Sequence, residues 1–177
     1  KTGLKVKTEL KSETRSFESP NVVGIVEGSD PKLKEEFVIY TSHWDHLGVG
    51  EPDKNGDKIY NGAYDNASGV STVLGIAEVL AKMPAKERPK RSFLFLFPTA
   101  EEQGLLGAEY YAQNPLIPLD KTAANVNVDG VNFFGPTKDF KPLGADRSTL
   151  IDLINEVARE RKLTVTGDDR PEQGFFF

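Results

Sequence analysis

The chain has 177 residues, a formal net charge of -5 and no cysteine. Its length supports one domain with a substantial core, and the missing cysteines exclude disulfides, thiolate zinc sites and a cysteine nucleophile. The basic residues form no stripe interleaved with aromatics, so no nucleic acid is expected as a partner, and no apolar run in this chain approaches membrane-spanning length.

In chain order, residues 3 to 18 alternate, with Leu4, Val6, Thr8 and Leu10 set against Lys5, Lys7, Glu9 and Lys11, which predicts a half-buried edge strand. Asn21 to Val26 predicts a second strand, and Gly28-Ser-Asp-Pro31 a turn. Phe37 to Thr41 predicts a buried strand that delivers Ser42-His43-Trp44-Asp45-His46 at its carboxyl end. Within the Gly- and Asp-rich stretch that follows, Asn55-Gly56 is a hairpin signal. Asp53 to Asp57 faintly resembles a calcium loop, but Lys58 and Tyr64 stand where such a loop needs its glycine and closing glutamate, so the hairpin is the reading.

Asp65-Asn-Ala-Ser-Gly69 leads into a predicted helix whose apolar face is Val70, Val73, Leu74, Ala77, Leu80 and Ala81, ended by Pro84. Phe93 to Phe97 is a run of five apolar residues suited to a strand buried on both faces, and Pro98 stops it. Glu101 and Glu102 follow, and Gly104 opens a helix through Leu105, Leu106, Ala108 and Tyr111 until Pro115 and Pro118 break it. Ala123 to Asp129 predicts another strand with an acid at its carboxyl end. Leu150, Leu153, Ile154, Val157 and Ala158 mark a last helix, with Asp146 at its start and Arg159, Arg161 and Lys162 at its end, as the helix dipole favours. Strands alternating with helices predict an α/β fold with a largely parallel central sheet. The chain starts at Lys1 without a visible signal peptide and stops at Gly-Phe-Phe-Phe177, and it reads as one domain, residues 1–177, incomplete at both ends.

Four predicted strand ends carry histidine or acids: His43 with Asp45, Asp65 just downstream, Glu101 with Glu102, and Asp129. The carboxyl edge of a parallel sheet is where ligands bind. Two adjacent carboxylates there repel unless a cation or a proton separates their roles, and a nitrogen-plus-carboxylate set suits zinc. Any one of these residues alone is as well explained as a helix cap or a polar strand end; four on one edge are not. Other chemistries lack their residues. The only histidines are His43 and His46, so there is no H-E-x-x-H, and neither a G-x-S-x-G elbow, a dinucleotide fingerprint nor a phosphate loop is present.

His43-Trp-Asp45, Gly62-Ala-Tyr-Asp-Asn-Ala-Ser-Gly69, Thr99-Ala-Glu-Glu-Gln-Gly104-Leu-Leu-Gly-Ala108 and Asn127-Val-Asp129 together resemble the co-catalytic zinc aminopeptidases of the M28 type, from about Asn21 to the C-terminus. The resemblance implies a mixed, centrally parallel sheet with helices on both faces and a cis peptide at Asp65-Asn66. It implies two zinc ions in the full-length enzyme: His43, Asp65 and Asp129 on the first, Asp65 bridging, and Glu102 on the second. Asp45 would hydrogen-bond the His43 imidazole, Glu101 would be the general base, and peptide or protein N-termini would be the substrates. Family members complete the second zinc with a late histidine, and this chain has none after His46. The expectation is therefore at most one tightly bound zinc in this chain, little or no peptidase activity from it alone, and a structural role for His46. A secreted, periplasmic or membrane-associated setting is likewise implied only by the resemblance. Phe133 and Phe134 could line an apolar substrate pocket or belong to the core, and the Phe175 to Phe177 stub could drive self-association. Two alternatives stay open: a glutaminyl cyclase-like zinc acyltransferase, and a non-catalytic ectodomain that kept the fold.

Overall fold

The computed structural model describes residues 3–167. Its centre is a four-stranded sheet with the order β1-β5-β2-β6, formed by β1 (Val22–Val26), β2 (Phe37–Thr41), β5 (Ser92–Phe97) and β6 (Thr122–Asn127). β2 runs parallel to both β5 and β6, and β1 is antiparallel to β5, so the sheet is mixed with a parallel centre. Between β2 and β5 come the short antiparallel pair β3 (Gly48–Val49) and β4 (Ile59–Tyr60), closed by the Asp53–Asp57 turn, and then helix α1 (Ala67–Lys82). Helix α2 (Leu106–Gln113) joins β5 to β6. A parallel pair, β7 (Asp139–Phe140) and β8 (Thr164–Val165), brackets helix α3 (Leu150–Arg161).

The apolar run of β5 is explained by its interior place, since it has a strand on each side and a helix over each face. Leu94 and Leu96 pack with Ile39 of β2 and Tyr111 of α2. Phe95 and Phe97 point the other way, onto Val73 and Leu80 of α1, where Tyr40 stacks on Phe95 at a ring separation of 6.0 Å. Helices therefore cover both faces. The covered stripe of α1 is narrower than its periodicity predicts: Leu74 is 52% exposed, and Ile76 and Met83 pack against the core instead. A helix over a single sheet layer buries only the side that meets the sheet.

The predicted edge strand at residues 3–18 does not form. This segment is irregular, and Leu4, Val6, Leu10 and Phe17 are each more than four-fifths exposed. Alternation makes a strand only where a sheet edge offers it a ladder and an apolar face, and neither outer edge of the four-stranded sheet, β1 or β6, pairs with it. Gly104 does not open α2 directly. Leu105 sits in the left-handed region at φ 63°, and the helix begins at Leu106. Asp146 lies in a short 3-10 turn ahead of α3, whereas Arg159 and Arg161 do occupy its last turn. Phe175 to Phe177 lie outside the described residues.

Candidate metal centre

Because β2, β5 and β6 are parallel, their carboxyl ends open on one edge. β2 continues past Thr41, with the Ser42 amide donating to Leu96 O (3.2 Å) and the Trp44 amide to Pro98 O (3.1 Å). That extension carries His43 into the interior, where it is 4% exposed. β5 hands over at Pro98 to a tight loop in which the Gly104 and Leu105 amides both donate to Glu101 O at 2.9 Å. Ala100, immediately before Glu101, takes a positive φ of 54°, an uncommon conformation of the kind that concentrates at functional loops. β6 ends two residues before Asp129.

Asp65 arrives from the β4–α1 connection, and Asn66 holds it in place. Asn66 is buried and caps α1 through Oδ1, which accepts from the Gly69 amide at 3.1 Å and also from the Gly130 amide at 3.1 Å. Its Nδ2 donates to Ser42 Oγ (3.0 Å) and to Val128 O (3.1 Å). One side chain thus ties the start of α1 to the ends of β2 and β6. The contact is close enough that a Cβ on Gly69 would run into Asn66 Oδ1, Val128 O and Ser42 Oγ. The Asp65–Asn66 peptide is cis, as the resemblance implies. The sequence reading did not single out Asn66, although its place between an acid and a helix start is a capping signal.

His43 Nε2 lies 3.0 Å from Asp65 Oδ1, 3.5 Å from Asp129 Oδ1 and 3.9 Å from Glu101 Oε2. Its other nitrogen, Nδ1, is 3.1 Å from the backbone carbonyl of Asp45. A carbonyl only accepts, so Nδ1 carries a proton, which leaves Nε2 as the nitrogen whose lone pair is available to a ligand. That lone pair faces carboxylate oxygens, which are also acceptors. Nε2 and Asp65 Oδ1 are both buried without a hydrogen-bond partner. An acceptor set of this kind is completed by a cation, and the donor atoms of His43, Asp65 and Asp129 all lie within 4.8 Å of one another. One imidazole nitrogen with two carboxylates is a zinc-type donor set.

The expected hydrogen bond from the His43 imidazole to the Asp45 carboxylate is not formed. Asp45 Oδ1 stays 3.8 Å from Nδ1 and instead accepts from the Glu101 amide at 3.1 Å. The backbone carbonyl of Asp45 takes over the orienting bond, and the carboxylate positions the Glu101 loop. Burial pushes the Glu101 carboxyl above the usual range. The charges of Asp129, Glu102 and Asp45 add to this, and His43 opposes it.

A second group forms beside the first. His46 Nδ1 is 2.6 Å from Glu102 Oε1, and His46, Asp65 and Glu102 also bring donor atoms within 4.8 Å of one another. His43, Asp65, Asp129, Glu101 and Glu102 are therefore gathered at one edge, together with His46, for which the sequence predicts a structural role. A small cavity of about 100 Å³ adjoins them, lined among others by Thr41, Leu105, Ala108, Asn125 and Asn127. Phe133 and Phe134 are 67% and 88% exposed, so they are not core residues. With Tyr64 they form an aromatic surface next to Asp65 and Asp129, with ring separations of 5.3 Å for Tyr64–Phe133 and 4.2 Å for Phe133–Phe134.

The pattern described as Peptidase family M28 matches residues 21–177. The chain is 33% identical over 131 residues to the mouse aminopeptidase NAALADL1, covering 72% of this chain and 16% of that protein. It is 29% identical over 165 residues to a vacuolar membrane protease of Saccharomyces cerevisiae, covering 93% of this chain and 14% of that one. It therefore spans only a small part of the curated relatives it matches. Among solved structures, a peptidase M28 precursor from Shewanella amazonensis aligns with a TM-score of 0.59 at 26% identity over 83% of this chain and 30% of that one. The zinc aminopeptidase BSAP of Bacillus subtilis aligns with a TM-score of 0.60 at 24% identity (83% and 34%). A glutaminyl cyclase from Porphyromonas gingivalis gives 0.61 at 21% identity (83% and 55%). The last two likenesses establish a shared fold. The order of the acid- and histidine-bearing strand ends, their convergence on one sheet edge and the match across residues 21–177 lead to one conclusion: the chain belongs to peptidase family M28.

Proposed function

We propose that the chain forms the metal centre of a zinc-dependent aminopeptidase that hydrolyses N-terminal peptide bonds. The observation that carries this reading is the unpartnered His43 Nε2, buried and directed at two carboxylates. His43, Asp65 and Asp129 would hold one zinc ion, and Asp65 and Glu102 would reach a second. Bound there, zinc supplies Lewis acidity toward a water and the scissile carbonyl.

The chain's own residues supply the rest. Asp45 O keeps the His43 ring in one tautomer. Glu101, positioned by the Asp45 carboxylate and 3.9 Å from His43 Nε2, takes a proton from the attacking water and returns it to the leaving amine. Burial favours this, since it moves the Glu101 carboxyl toward the pH at which a base also releases its proton. Asp65, Glu102 and Asp129 surround the site with negative charge suited to a substrate's free α-ammonium group. The Tyr64, Phe133 and Phe134 surface is placed to accept an apolar side chain.

The test is hydrolysis of aminoacyl-p-nitroanilides by the full-length protein after chelation and zinc repletion, alongside the N-acetylated substrates and a peptide with N-terminal glutamine. Zinc-dependent turnover confined to free N-termini is expected. Activity indifferent to chelation, or cyclisation of the glutamine peptide in place of hydrolysis, would overturn the assignment.

A further inference from the structure

We infer that Asn21 is a positioning residue of the site: its side chain clamps both ends of the loop of residues 99–107 and so sets where Glu101 and Glu102 stand. This role rests on the reading that Glu101 is the general base and Glu102 reaches a zinc ion.

The pairing of β1 with β5 ends at Val22 opposite Phe97. Pro98 follows, and it has no N–H with which to continue a ladder. Beyond it the Asn21 side chain takes over. Its Oδ1 accepts from the Thr99 amide at 3.0 Å, and its Nδ2 donates to the Gly107 carbonyl at 2.7 Å. A primary amide carries an acceptor and a donor side by side, so it meets an N–H and a carbonyl at once. Thr99 is where the chain leaves β5, and Gly107 already lies in the first turn of α2; both are buried. The fit is close, since a Cβ on Gly107 would lie 2.4 Å from Asn21 Oδ1 and 2.4 Å from Thr99 O.

The neighbours of Asn21 extend the grip. Ser19 Oγ hydrogen-bonds Thr99 Oγ1 at 2.6 Å. Trp44, between His43 and Asp45, donates from Nε1 to Pro20 O at 3.2 Å. Residues 19–21 therefore touch both segments that build the site, the extension of β2 and the loop after β5. That loop is held against its own preference. Ala100 and Leu105 flank the glutamates at φ 54° and 63°, a region in which such residues persist only where their surroundings fix them. Asn21 fixes the two ends, and Asp45 Oδ1 holds the Glu101 amide between them. A side chain that only closed the edge of β1 would need the Thr99 amide and not Gly107, which lies beyond both glutamates.

The experiment uses the full-length protein at saturating zinc, with Asn21→Ala, Asn21→Asp and, for comparison, Leu80→Val, which thins the core near the far end of α1. Turnover of an aminoacyl-p-nitroanilide is read well below each thermal midpoint, together with amide hydrogen exchange of residues 99–107. Asn21→Ala should lower kcat about 100-fold, the scale of a misplaced catalytic group, with KM unchanged. Its exchange should quicken in residues 99–107 and not in α1. Asn21→Asp keeps the acceptor for Thr99 but not the donor for Gly107 and should lose less; it carries the test if the alanine variant does not fold. Leu80→Val should lower the midpoint and leave kcat unchanged. An unchanged kcat in Asn21→Ala would overturn the inference, as would a rise in KM alone or an equal fall of kcat in Leu80→Val. If the unaltered protein shows no zinc-dependent turnover, the proposed function fails and hydrogen exchange alone decides. Faster exchange of residues 99–107 in Asn21→Ala would then uphold the clamp, and unchanged exchange would overturn it.

Discussion

Glu101 and Glu102 are neighbours in sequence but face different partners. Glu102 pairs with His46, whereas Glu101 faces His43 and is partly desolvated. Glu101→Gln in the full-length protein should therefore abolish most turnover while zinc content, measured by atomic emission, stays unchanged. Loss of metal together with activity would make Glu101 a ligand. The raised Glu101 pKa also predicts a pH-dependent stability in chelator-treated protein. The folded state holds the proton more tightly than the unfolded chain, whose ordinary value is 4.5. Stability is then complete below that value and falls as pH rises through the interval up to the raised value, because the unfolded state releases its proton first. Asp129, Glu102 and Asp45 sharpen the loss and His43 softens it. Glu101→Gln should accordingly raise the thermal midpoint of metal-free protein at pH 7, with the gain fading near pH 4. A gain that persisted at pH 4 would assign the effect to packing.

At the scale of elements, Asn66 joins α1 to β2 and β6. Its removal leaves the Gly69 and Gly130 amides and the Val128 carbonyl short of a partner in a buried place. Asn66→Ala should cost about 3 kcal/mol, combining a lost N-cap with unsatisfied buried groups, as read from urea unfolding. It should also weaken zinc binding, since Asp65 precedes it. A cost below about 1 kcal/mol would mean that water replaces the side chain. The loop of residues 100–105 reaches its shape by backbone bonds and two non-glycine residues at positive φ, Ala100 and Leu105, which leaves Gly104 as a marker of the turn and not of the helix start.

For the whole molecule, the site is where the ends of β2, β5 and β6 and the start of α1 meet, so an ion there links the elements that carry the sheet. Zinc at a hundredfold excess over its dissociation constant should add about 2.7 kcal/mol to folding stability, and a chelator should remove it. His43→Ala should lose that gain, and thermal unfolding with and without zinc reads it. An unchanged midpoint on adding zinc would contradict a site formed only in the folded state. No helix among the described residues is long and apolar enough to cross a membrane.

Much of this was legible in the chain itself. Apolar runs located β2 and β5, the stretches 21–26 and 123–129 marked β1 and β6, and period-3.6 spacing marked α1 and α3, because a strand or helix packed in the core records its buried face in its own spacing. The acids and histidine at the strand ends were visible because a parallel centre places every carboxyl end on one edge. The sequence could not decide what alternation at residues 3–18 would pair with, since a strand needs a partner that only the assembled sheet provides. Nor could it decide that Phe133 and Phe134 stand at the surface, because an aromatic pair after a strand is equally compatible with core and rim. The structural role of His46 and the pairing of the Asp45 carboxylate with His43 came from the resemblance, since spacing along one strand extension says nothing of which partner each side chain will meet. Tertiary structure decided which groups these side chains meet: the β5 loop brings Glu102 to His46, the Gly62 backbone packs against that ring, and the Asp45 carboxylate turns to the Glu101 amide while its carbonyl takes the imidazole.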